Sequence, residues 1–414
     1  MSQAAPSRSQ RPAGQRLRLQ AGLVSMALFG ANALSYLLNV IAARALAPDL
    51  YGALGSLLAL VVVGAVPAMG MQTVAALHVA GLRASGGDVA AGERRLLRTG
   101  LGAAAVVGLV ALVAAPALVA LLHLPSAWPV VWLALALVPL TVLGGFHGTL
   151  QGRQRFDRLA LLVAVEGLTK VGGGLAGLIL LRSTSATLAR MAAGSAVAAA
   201  VGWWVCGRRR PSRAAGGLAG RVLHAIQAIL GLVLLMNLDI VLARHNLSGA
   251  QAGDYAIGAI ITKIAYWLPQ AVAIIVLPRF VDEEHRGRMV WLALVVIAAL
   301  DVWVVLVTAL WGTEVVRLIG GAEYGAHLPS VWLFAVLGSL LALVQLLLYS
   351  RIASTDRRST AAVWAAVAVE VALVTWWFDG SVSAVATAAL VSAGLLVLAG
   401  VTIEYRGVRR SPSA

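Results

Sequence analysis

The chain has 414 residues, of which 60% are hydrophobic and only 12% are charged, and its mean hydropathy is +0.88. Soluble globular proteins carry about twice this fraction of charged residues, so the composition excludes an ordinary soluble enzyme. The formal net charge of +15 does not indicate a nucleic-acid partner either, because a nucleic-acid-binding domain would need a polar scaffold that this chain lacks.

Apolar stretches long enough to cross a bilayer recur along the whole chain, since a hydrocarbon core of roughly 30 Å requires about 20 residues of helix. They predict an all-α, polytopic membrane protein with twelve transmembrane helices, six in each half of the chain. The predicted spans are 22–46, 52–80, 100–122, 128–150, 159–181, 186–206, 222–246, 253–280, 289–312, 328–350, 360–378 and 383–403.

The polar segments between and beyond these spans divide the chain into five regions. The ends and the joint between the halves are basic and rich in serine, proline or glycine, which predicts a disordered N-terminal tail and a polar linker. The regions are a basic cytoplasmic tail (1–16), an N-lobe (17–206), a cytoplasmic linker (207–220), a C-lobe (221–405) and a second cytoplasmic tail (406–414).

The arginines predict how the chain is oriented. With the N-terminus inside, 25 of the 30 arginines fall in cytoplasmic segments and five fall at outer ends or loops. This asymmetry predicts that both termini are cytoplasmic, because basic residues concentrate on the inner side of the membrane. The excess of arginine over lysine is typical of GC-rich bacterial genomes, so we expect a multi-pass protein of a bacterial cytoplasmic (inner) membrane. Anionic membrane lipids are expected partners of its inner surface.

Short motifs of the first half return in the second half about 200 residues later. The sequence Ile-Ala-Ala-Arg before an outer loop is echoed by Val-Leu-Ala-Arg, and Val-Ala-Val-Glu occurs in both halves. Such spacing indicates two copies of one unit, and in an apolar chain it favours a transporter with its site between the copies. The paired positions are Arg44 and Arg244, Tyr51 and Tyr255, Pro67 and Pro269, and Glu166 and Glu370.

The sequence contains no motif that indicates an enzyme. We find no HExxH, no cysteine pair and no G-x-S-x-G, and the seven histidines lack the spacing of metal ligands. The segment Gly167–Lys170 ends like a Walker motif but lacks its earlier glycine. We therefore expect no catalytic activity, no metal and no cofactor. Energy for transport would come from a coupling ion such as H⁺ or Na⁺, from the membrane potential or from the substrate gradient.

Four stretches of the chain resemble one family. The run Asn39–Leu54 resembles the first-hairpin signature of polysaccharide biosynthesis flippases, which belong to the multidrug/oligosaccharidyl-lipid/polysaccharide exporter (MOP) superfamily. The stretches Leu150–Phe156, Asn237–Arg244 and Gly321–Tyr324 are similar to the same family. The resemblance extends over residues 17–405, and the chain departs from the lipid II flippase branch, which usually has fourteen helices.

The resemblance implies two six-helix lobes around a central cavity that opens alternately to each side of the membrane. The implied cargo is an isoprenoid-diphosphate-linked oligosaccharide or polysaccharide precursor, moved from the inner to the outer leaflet for envelope or exopolysaccharide synthesis. Envelope glycan polymerases or glycosyltransferases are the implied protein partners. A multidrug or metabolite cation antiporter of the same superfamily is the alternative, and a cavity dominated by carboxylates would favour it.

Four cations are the candidates for substrate binding. A diphosphate cannot cross hydrocarbon unaided, whereas a charge near a helix centre costs about 2.5–3.5 kcal/mol on insertion scales and therefore indicates pairing or function. Lys170 and Lys263 lie within spans, and Arg44 and Arg244 lie near the outer ends of the first and seventh spans. The two arginines either reach to the interface or act together as an outer gate or phosphate exit site.

Three carboxylates are the candidates for ion coupling or charge pairing. Glu166 precedes Lys170 by four residues, which predicts a local ion pair in which Glu166 either only neutralises the lysine or tunes it and carries a proton. Asp239 either binds a coupling cation or pairs with Lys263 on the next span. Glu370 is a candidate titrating site or inter-helix partner.

Two prolines fall in the middle of apolar spans, Pro67 in the second and Pro269 in the eighth. Each removes a backbone hydrogen bond and tends to kink its helix. Their equivalent positions in the two halves predict either a pair of fixed bends or a pair of hinges for alternating access.

Overall fold

The computed structural model describes residues 13–207, 210, 217–276, 299–324, 328, 330–352, 357–378 and 380–408. These residues form helices and connecting turns, and no strand occurs among them. The prediction of an all-α membrane protein with two lobes is confirmed.

Seventeen α-helices are described, and a π-helical turn at Gly167–Val171 joins the seventh to the eighth. The helices are α1 Ala13–Ala45, α2 Pro48–Gly64, α3 Val66–Ala84, α4 Val89–Val113, α5 Ala115–Leu121, α6 Trp128–Gly152, α7 Phe156–Glu166, α8 Gly172–Leu181, α9 Thr184–Val205, α10 Ala219–Leu235, α11 Leu238–Asn246, α12 Gly249–Val276, α13 Ala299–Leu310, α14 Gly312–Gly320, α15 Trp332–Ile352, α16 Arg357–Trp376 and α17 Val382–Val408.

All twelve predicted spans correspond to helices of the described residues. Seven spans are long and apolar enough to cross a membrane: α1, α2 with α3, α4, α6, α7 with α8, α9 and α17. Two more are bent pairs, α10 with α11 at 50° and α13 with α14 at 88°. The remaining three spans correspond to α12, α15 and α16. Several spans consist of two helices separated by a break, and a hydropathy profile does not reveal such breaks.

The helices extend further into the polar regions than the sequence predicts. Helix α1 begins at Ala13, inside the tail predicted for 1–16, and α17 ends at Val408, inside the tail predicted for 406–414. Helix α10 begins at Ala219, inside the predicted linker 207–220. Arginine, leucine and glutamine are good helix formers, so a basic segment beside a span continues its helix. The rest of both tails and most of the linker lie outside the described residues.

The outer and inner sides of the molecule follow the orientation that the arginines predict. On the outer side, the segment after the ninth span contains a short helix, α14, that the sequence did not predict. On the inner side, α4 begins at Val89, where the Asp88 carboxylate accepts a hydrogen bond from the Ala91 amide at 2.9 Å. An N-cap of this kind starts the helix before the apolar span begins.

The N-lobe is built around α6, which packs against α3, α4 and α9. Gly144, Gly148 and Gly152 form a face of α6, and a Cβ atom at any of them would overlap a backbone carbonyl of α3. This spacing of small residues allows two transmembrane helices to approach closely. The adjacent Gly145 lies outside this face, because its Cβ would meet only the Met71 methyl group at 3.5 Å.

Replacing Gly148 with alanine is therefore expected to lower the free energy of unfolding by about 1–3 kcal/mol, as overpacked contacts do. Gly145→Ala is the matched control, and it is expected to be neutral or to stabilise the helix by up to about 1 kcal/mol. Thermal unfolding of the two purified variants in the same detergent measures the difference. Equal unfolding temperatures would contradict the close α3–α6 contact.

The two lobes meet closely at the outer ends of α2 and α12. Gly52 lies against the backbone of Ala252 and Gly253, and Gly253 in turn lies against Pro48. Farther inward, α3 packs on α10, where a Cβ at Gly70 would meet Ile226. The repeat relates this α3–α10 contact to one between α1 and α12, but α1 and α12 make few contacts among the described residues. The two lobes are therefore in close contact on the outer side, whereas toward the inner side one of the two equivalent helix pairs is packed and the other is not.

Candidate functional site

Halfway along the fifth span, Glu166, Lys170 and His147 form the N-lobe triad. The Lys170 Nζ donates to Glu166 Oε1 at 3.0 Å, and the His147 Nε2 atom on α6 lies 3.7 Å from Glu166 Oε2. The chain turns as a π-helix directly after Glu166, and the Thr169 hydroxyl lies 2.8 Å from both the Val165 and Gly194 carbonyl oxygens. Single π turns inside α-helices are frequent at functional sites.

The N-lobe triad lies deep in the lobe but is not sealed. The side chains of Glu166 and Lys170 are 18% and 23% exposed, although both residues lie in the middle of a span. A charged pair that kept this exposure in hydrocarbon would be costly, so it indicates a hydrated cleft. The local ion pair predicted from the sequence is present, and its geometry is compatible both with mutual neutralisation and with Lys170 as a phosphate ligand.

In the C-lobe, Asp239, Tyr255, Lys263 and Glu370 form a second group, the C-lobe cluster. The Tyr255 hydroxyl donates to Asp239 Oδ2 at 3.0 Å, while Asp239 Oδ1 and both Glu370 carboxylate oxygens have no hydrogen-bond partner among the described residues. Asp239 is buried and Glu370 is inaccessible to solvent. Lys263 and Glu370 both lie within electrostatic reach of Asp239.

The C-lobe cluster is placed by a break in the seventh span. Helix α10 ends at Leu235 and α11 begins at Leu238, with the Asn237 amide donating to the Val233 carbonyl at 2.9 Å. Two buried carboxylates with unsatisfied oxygens cannot both remain charged without cations, and Lys263 can balance only one of the two charges. The arrangement can therefore hold a proton or a small monovalent cation that balances the other. No three histidine, cysteine, aspartate or glutamate side chains converge as a metal site anywhere in the described ranges.

Arg44 and Arg244 bind across the lobe junction on its outer side, and we call these contacts the outer latch. Arg44 Nε donates to the Ile319 carbonyl at 3.3 Å, and its Nη2 donates to the Leu318 carbonyl. Both carbonyls belong to the last turn of α14, in the opposite lobe. Arg44 is exposed, and a cation at this helix end complements the helix dipole.

Arg244 repeats this arrangement with the lobes exchanged. Its Nε donates to the Leu122 carbonyl at 3.0 Å, at the C-terminal end of α5, and its Nη1 donates to Asp49 Oδ1 at 2.6 Å. Arg244 is buried, only 6% exposed, and Asp49 lies in the first turn of α2. Each arginine of the repeat thus binds the end of a short outer helix of the other lobe.

Aromatic contacts reinforce the outer latch. The Tyr324 hydroxyl donates to the Leu46 carbonyl at 3.2 Å, and the Tyr324 ring meets the Tyr51 ring edge to face at 6.0 Å. Burial raises the pKa of the Tyr324 phenol, so the hydroxyl stays protonated and continues to donate. The imidazole rings of His123 and His245 stack across the junction with centroids 5.5 Å apart.

The two repeat prolines differ in their surroundings. Pro67 is the second residue of α3, directly after a one-residue break at Ala65 that separates α3 from α2. Proline is well tolerated at the start of a helix because its missing amide has no partner there. Pro269 lies inside α12, whose backbone is helical through Val276. The second span is therefore broken beside its proline, whereas the eighth span is a continuous helix as far as Val276, the last residue described there. A hinge role for either proline stays a prediction.

Sequence reasoning missed several residues that complete these sites. Asp49 lies within the signature segment but had no charge partner nearby in sequence, and Tyr255 was noted only as a repeat position. His147 is an isolated imidazole in an apolar span, and this isolation is the feature of the sequence that could have marked it as a candidate site residue. Leu122 contributes only its backbone carbonyl, so no side-chain pattern could identify it.

Neither a protein-family model nor a curated protein matches this chain. Solved structures do match it in fold. Lipid II flippase MurJ in an inward closed conformation has a TM-score of 0.72 at 13% identity, covering 92% of this chain and 87% of that chain. An inward-facing multidrug resistance MATE family transporter of the MOP superfamily has a TM-score of 0.69 at 12% identity, covering 92% and 96%. The Vibrio cholerae MATE transporter VcmN has a TM-score of 0.60 at 16% identity, covering 97% and 98%. The chain therefore has the fold of MOP superfamily transporters.

Proposed function

We propose that this protein is an alternating-access flippase that moves an isoprenoid-diphosphate-linked oligosaccharide or polysaccharide precursor from the inner to the outer leaflet. The observation that carries the proposal is the placement of its cations. Lys170 and Lys263 are partly exposed in the middle of spans, and Arg44 and Arg244 lie across the outer end of the lobe junction. A dianionic head group would meet cations in its central site and again at its exit.

The asymmetry of the lobe junction supports a lipid-linked cargo. Helices α3 and α10 are packed closely, whereas α1 and α12 make few contacts among the described residues. The inner half of α1 carries large exposed apolar side chains, including Met26 at 72% and Phe29 at 73% exposure. A head group could therefore enter between α1 and α12 while its isoprenoid tail stays in the bilayer.

In this proposal Lys170 is the first phosphate ligand. Its ammonium is held by a single carboxylate oxygen of Glu166, and the diphosphate would compete for that ammonium with a stronger, charge-assisted hydrogen bond. Glu166 could then accept a proton, with His147 next to its second oxygen. The net charge of the N-lobe triad would therefore stay near zero both with and without cargo, so no unpaired charge would remain inside the lobe.

Opening of the outer latch would follow from an exchange of partners. Arg44 is bound by neutral carbonyl groups, and Arg244 by two carbonyl groups and one carboxylate. Guanidinium groups bind phosphate oxygens with two parallel hydrogen bonds, so the arriving diphosphate would replace these contacts. The two lobes would separate at their outer ends as the cargo leaves.

The membrane potential supplies energy in the required direction. Moving one charge across the whole field is worth about 2.3 kcal/mol per 100 mV, so a dianion is driven outward by roughly twice that amount. No nucleotide is needed for this step. The empty carrier would be reset by H⁺ or Na⁺ exchanged at Asp239 and Glu370, since Asp239 Oδ1 and both Glu370 oxygens lack hydrogen-bond partners among the described residues.

A multidrug or metabolite cation antiporter is the second candidate. The C-lobe cluster favours it, because the buried Asp239 and Glu370 could balance an organic cation. Against it, the partly exposed mid-span groups include Lys170 and Lys263, which would repel such a cargo. The nature of the accumulated compound in a depleted cell separates the two candidates.

The test is depletion of the protein in its native cell, followed by extraction of lipid-linked glycans and mass spectrometry. We expect an isoprenoid-diphosphate saccharide to accumulate in the inner leaflet, and the surface glycan made by envelope polymerases or glycosyltransferases to disappear. Reporter fusions at both termini should locate them in the cytoplasm. Unchanged glycans together with increased sensitivity to organic cations would instead support the antiporter.

A further inference from the structure

A crevice opens on the surface of the N-lobe, away from the groups that the proposed transport cycle uses. It lies between α4, α6 and α9, has an empty volume of about 420 Å³ including the part open to the surroundings, and is lined only by N-lobe residues among those described. Its α4 wall consists of Glu93, Leu96, Leu97 and Gly100, one stripe of the helix. Because α4 starts on the inner side at Val89 and α6 ends there at Gly152, the crevice lies in the inner half of the membrane.

The crevice is open because two of its residues lack side chains. A Cβ atom at Gly100 or at Gly145 would have only one neighbour, the Met71 methyl group at 3.5 Å, which is an ordinary van der Waals contact. The neighbouring Gly144 and Gly148 are different, since α3 fills the space beside them. Gly145 and Gly100 therefore leave a space that the protein itself does not fill.

The chemistry of the crevice suits a hydrocarbon chain. Leu96, Leu97, Val142 and Phe146 supply apolar walls. The charged group at its inner end, Glu93, already accepts hydrogen bonds at both carboxylate oxygens from the Nε and Nη2 atoms of Arg153. An apolar crevice of this kind loses dispersion contacts when it is empty, and lipid chains are the apolar molecules present in a bilayer.

Groups beside the crevice suit a phosphate. Arg94 and Arg98 each follow a residue of the α4 stripe. The Arg94 side chain is 41% exposed, and its Nη2 atom lies 4.0 Å from Asp88 Oδ2, a loose surface contact that a lipid phosphate could replace; Arg98 is exposed. On the opposite wall Trp203 is 44% exposed, and tryptophan is enriched at the level of lipid head groups. We propose that this crevice binds one acyl chain of an anionic phospholipid of the inner leaflet, with the lipid phosphate beside Arg94 and Arg98.

The proposal is tested with the full-length protein in nanodiscs that contain phosphatidylglycerol carrying a photoreactive group on one acyl chain. After irradiation, mass spectrometry locates the labelled residues. We expect labels on Leu97, Phe146 and Trp203 to saturate at a low fraction of the probe lipid, whereas labels on Val106 and Leu109, which are exposed on the other half of α4, should rise in proportion to the probe. A proportional rise at all five residues would overturn the proposal.

Two sets of variants separate the acyl site from general contact with lipid. Gly145→Leu should fill the crevice and reduce its labelling about tenfold, because an added isobutyl group removes the space for one chain. Gly102→Leu is the control, since Gly102 has no atom near its would-be Cβ and lies exposed on α4, the helix that forms the facing wall of the crevice. Gly145→Ala, which adds only one methyl group, shows whether loss of labelling follows volume rather than unfolding. Unchanged labelling of a monodisperse Gly145→Leu protein would contradict the site.

The head-group assignment has its own comparison. Each arginine near a membrane surface favours an anionic lipid by about 1 kcal/mol, which corresponds to roughly a fivefold preference. Unlabelled phosphatidylglycerol should therefore compete with the probe far better than phosphatidylcholine does, and the Arg94→Gln/Arg98→Gln variant should lose this difference. Equal competition by the two lipids in the unmodified protein would overturn the role of the arginines.

Discussion

Replacing Lys170 with glutamine is expected to reduce transport by about 100-fold, since removing one partner of an enclosed charge contact costs several kcal/mol. The same change leaves the Glu166 carboxylate without the donor that lies 3.0 Å away, while the His147 Nε2 atom stays 3.7 Å from its other oxygen. The free energy of unfolding should fall by roughly 2 kcal/mol, the usual value for a hydrogen bond to a charged group. Transport is measured in inverted vesicles and stability by thermal unfolding in detergent.

The double variant Lys170→Gln/Glu166→Gln separates a binding role from mutual neutralisation. Removing both charges leaves no unpaired group, so stability should return close to that of the unmodified protein. Transport should stay as low as in the Lys170→Gln variant, because the phosphate ligand is still missing. A stable double variant that transports normally would show that Lys170 serves only to neutralise Glu166.

Replacing Arg244 with glutamine is expected to shift the protein toward states that are open on the outer side. The change removes hydrogen bonds to Asp49 and to the Leu122 carbonyl, and Arg244 is buried where it makes them. Because the Asp49 side chain is 60% exposed, losing these hydrogen bonds costs about 1.5–3 kcal/mol, which raises the population of a minor open conformation by about tenfold or more. Arg44→Gln should have a smaller effect, because Arg44 is exposed and binds only carbonyl groups.

Distances between spin labels on the two lobes measure this shift. Ala47 and Ala250 are exposed at the outer ends of the lobes, and the single cysteine, Cys206, can be replaced by serine to leave only the two introduced sites. The unmodified protein should give mainly short distances, and Arg244→Gln should add a longer population. Arg317→Gln is the control, since Arg317 is an exposed outer arginine outside the latch. Identical distance distributions for all three proteins would mean that the latch does not hold the lobes together.

The parts of this architecture that depend on local sequence were predictable. Hydropathy located the spans because crossing a bilayer imposes a length and a composition on each segment. The Glu166–Lys170 pair was predictable too, since residues four apart share one face of a helix. The repeat correctly indicated that Arg44 and Arg244 occupy equivalent places, and the structure puts both at the lobe junction.

Such local patterns do not predict contacts between segments that are far apart in the sequence. Asp49 and Arg244 are separated by 195 positions, and only the docking of α2 against α11 and α12 brings them together. Within the π turn after Glu166, the Thr169 hydroxyl donates to the Gly194 carbonyl of a neighbouring helix, a contact that the sequence of the span does not indicate. Likewise, the difference between Pro67 and Pro269 reflects a break at Ala65 that no equivalent residue of α12 reproduces. Tertiary packing, rather than local propensity, decided each of these features.

Flipping of a diphosphate-linked lipid by the purified protein is the most direct measurement of the proposed function. Proteoliposomes would carry a short-chain isoprenoid-diphosphate saccharide with a fluorescent group, and a membrane-impermeant reductant would bleach the probe that reaches the outer leaflet. With the unmodified protein we expect the inner-leaflet probe to be bleached as well, faster when the potential drives anions in that direction, and we expect the Lys170→Gln/Glu166→Gln variant to leave it protected. Protection of the inner-leaflet probe in the presence of active, folded protein that instead exports organic cations would contradict the account.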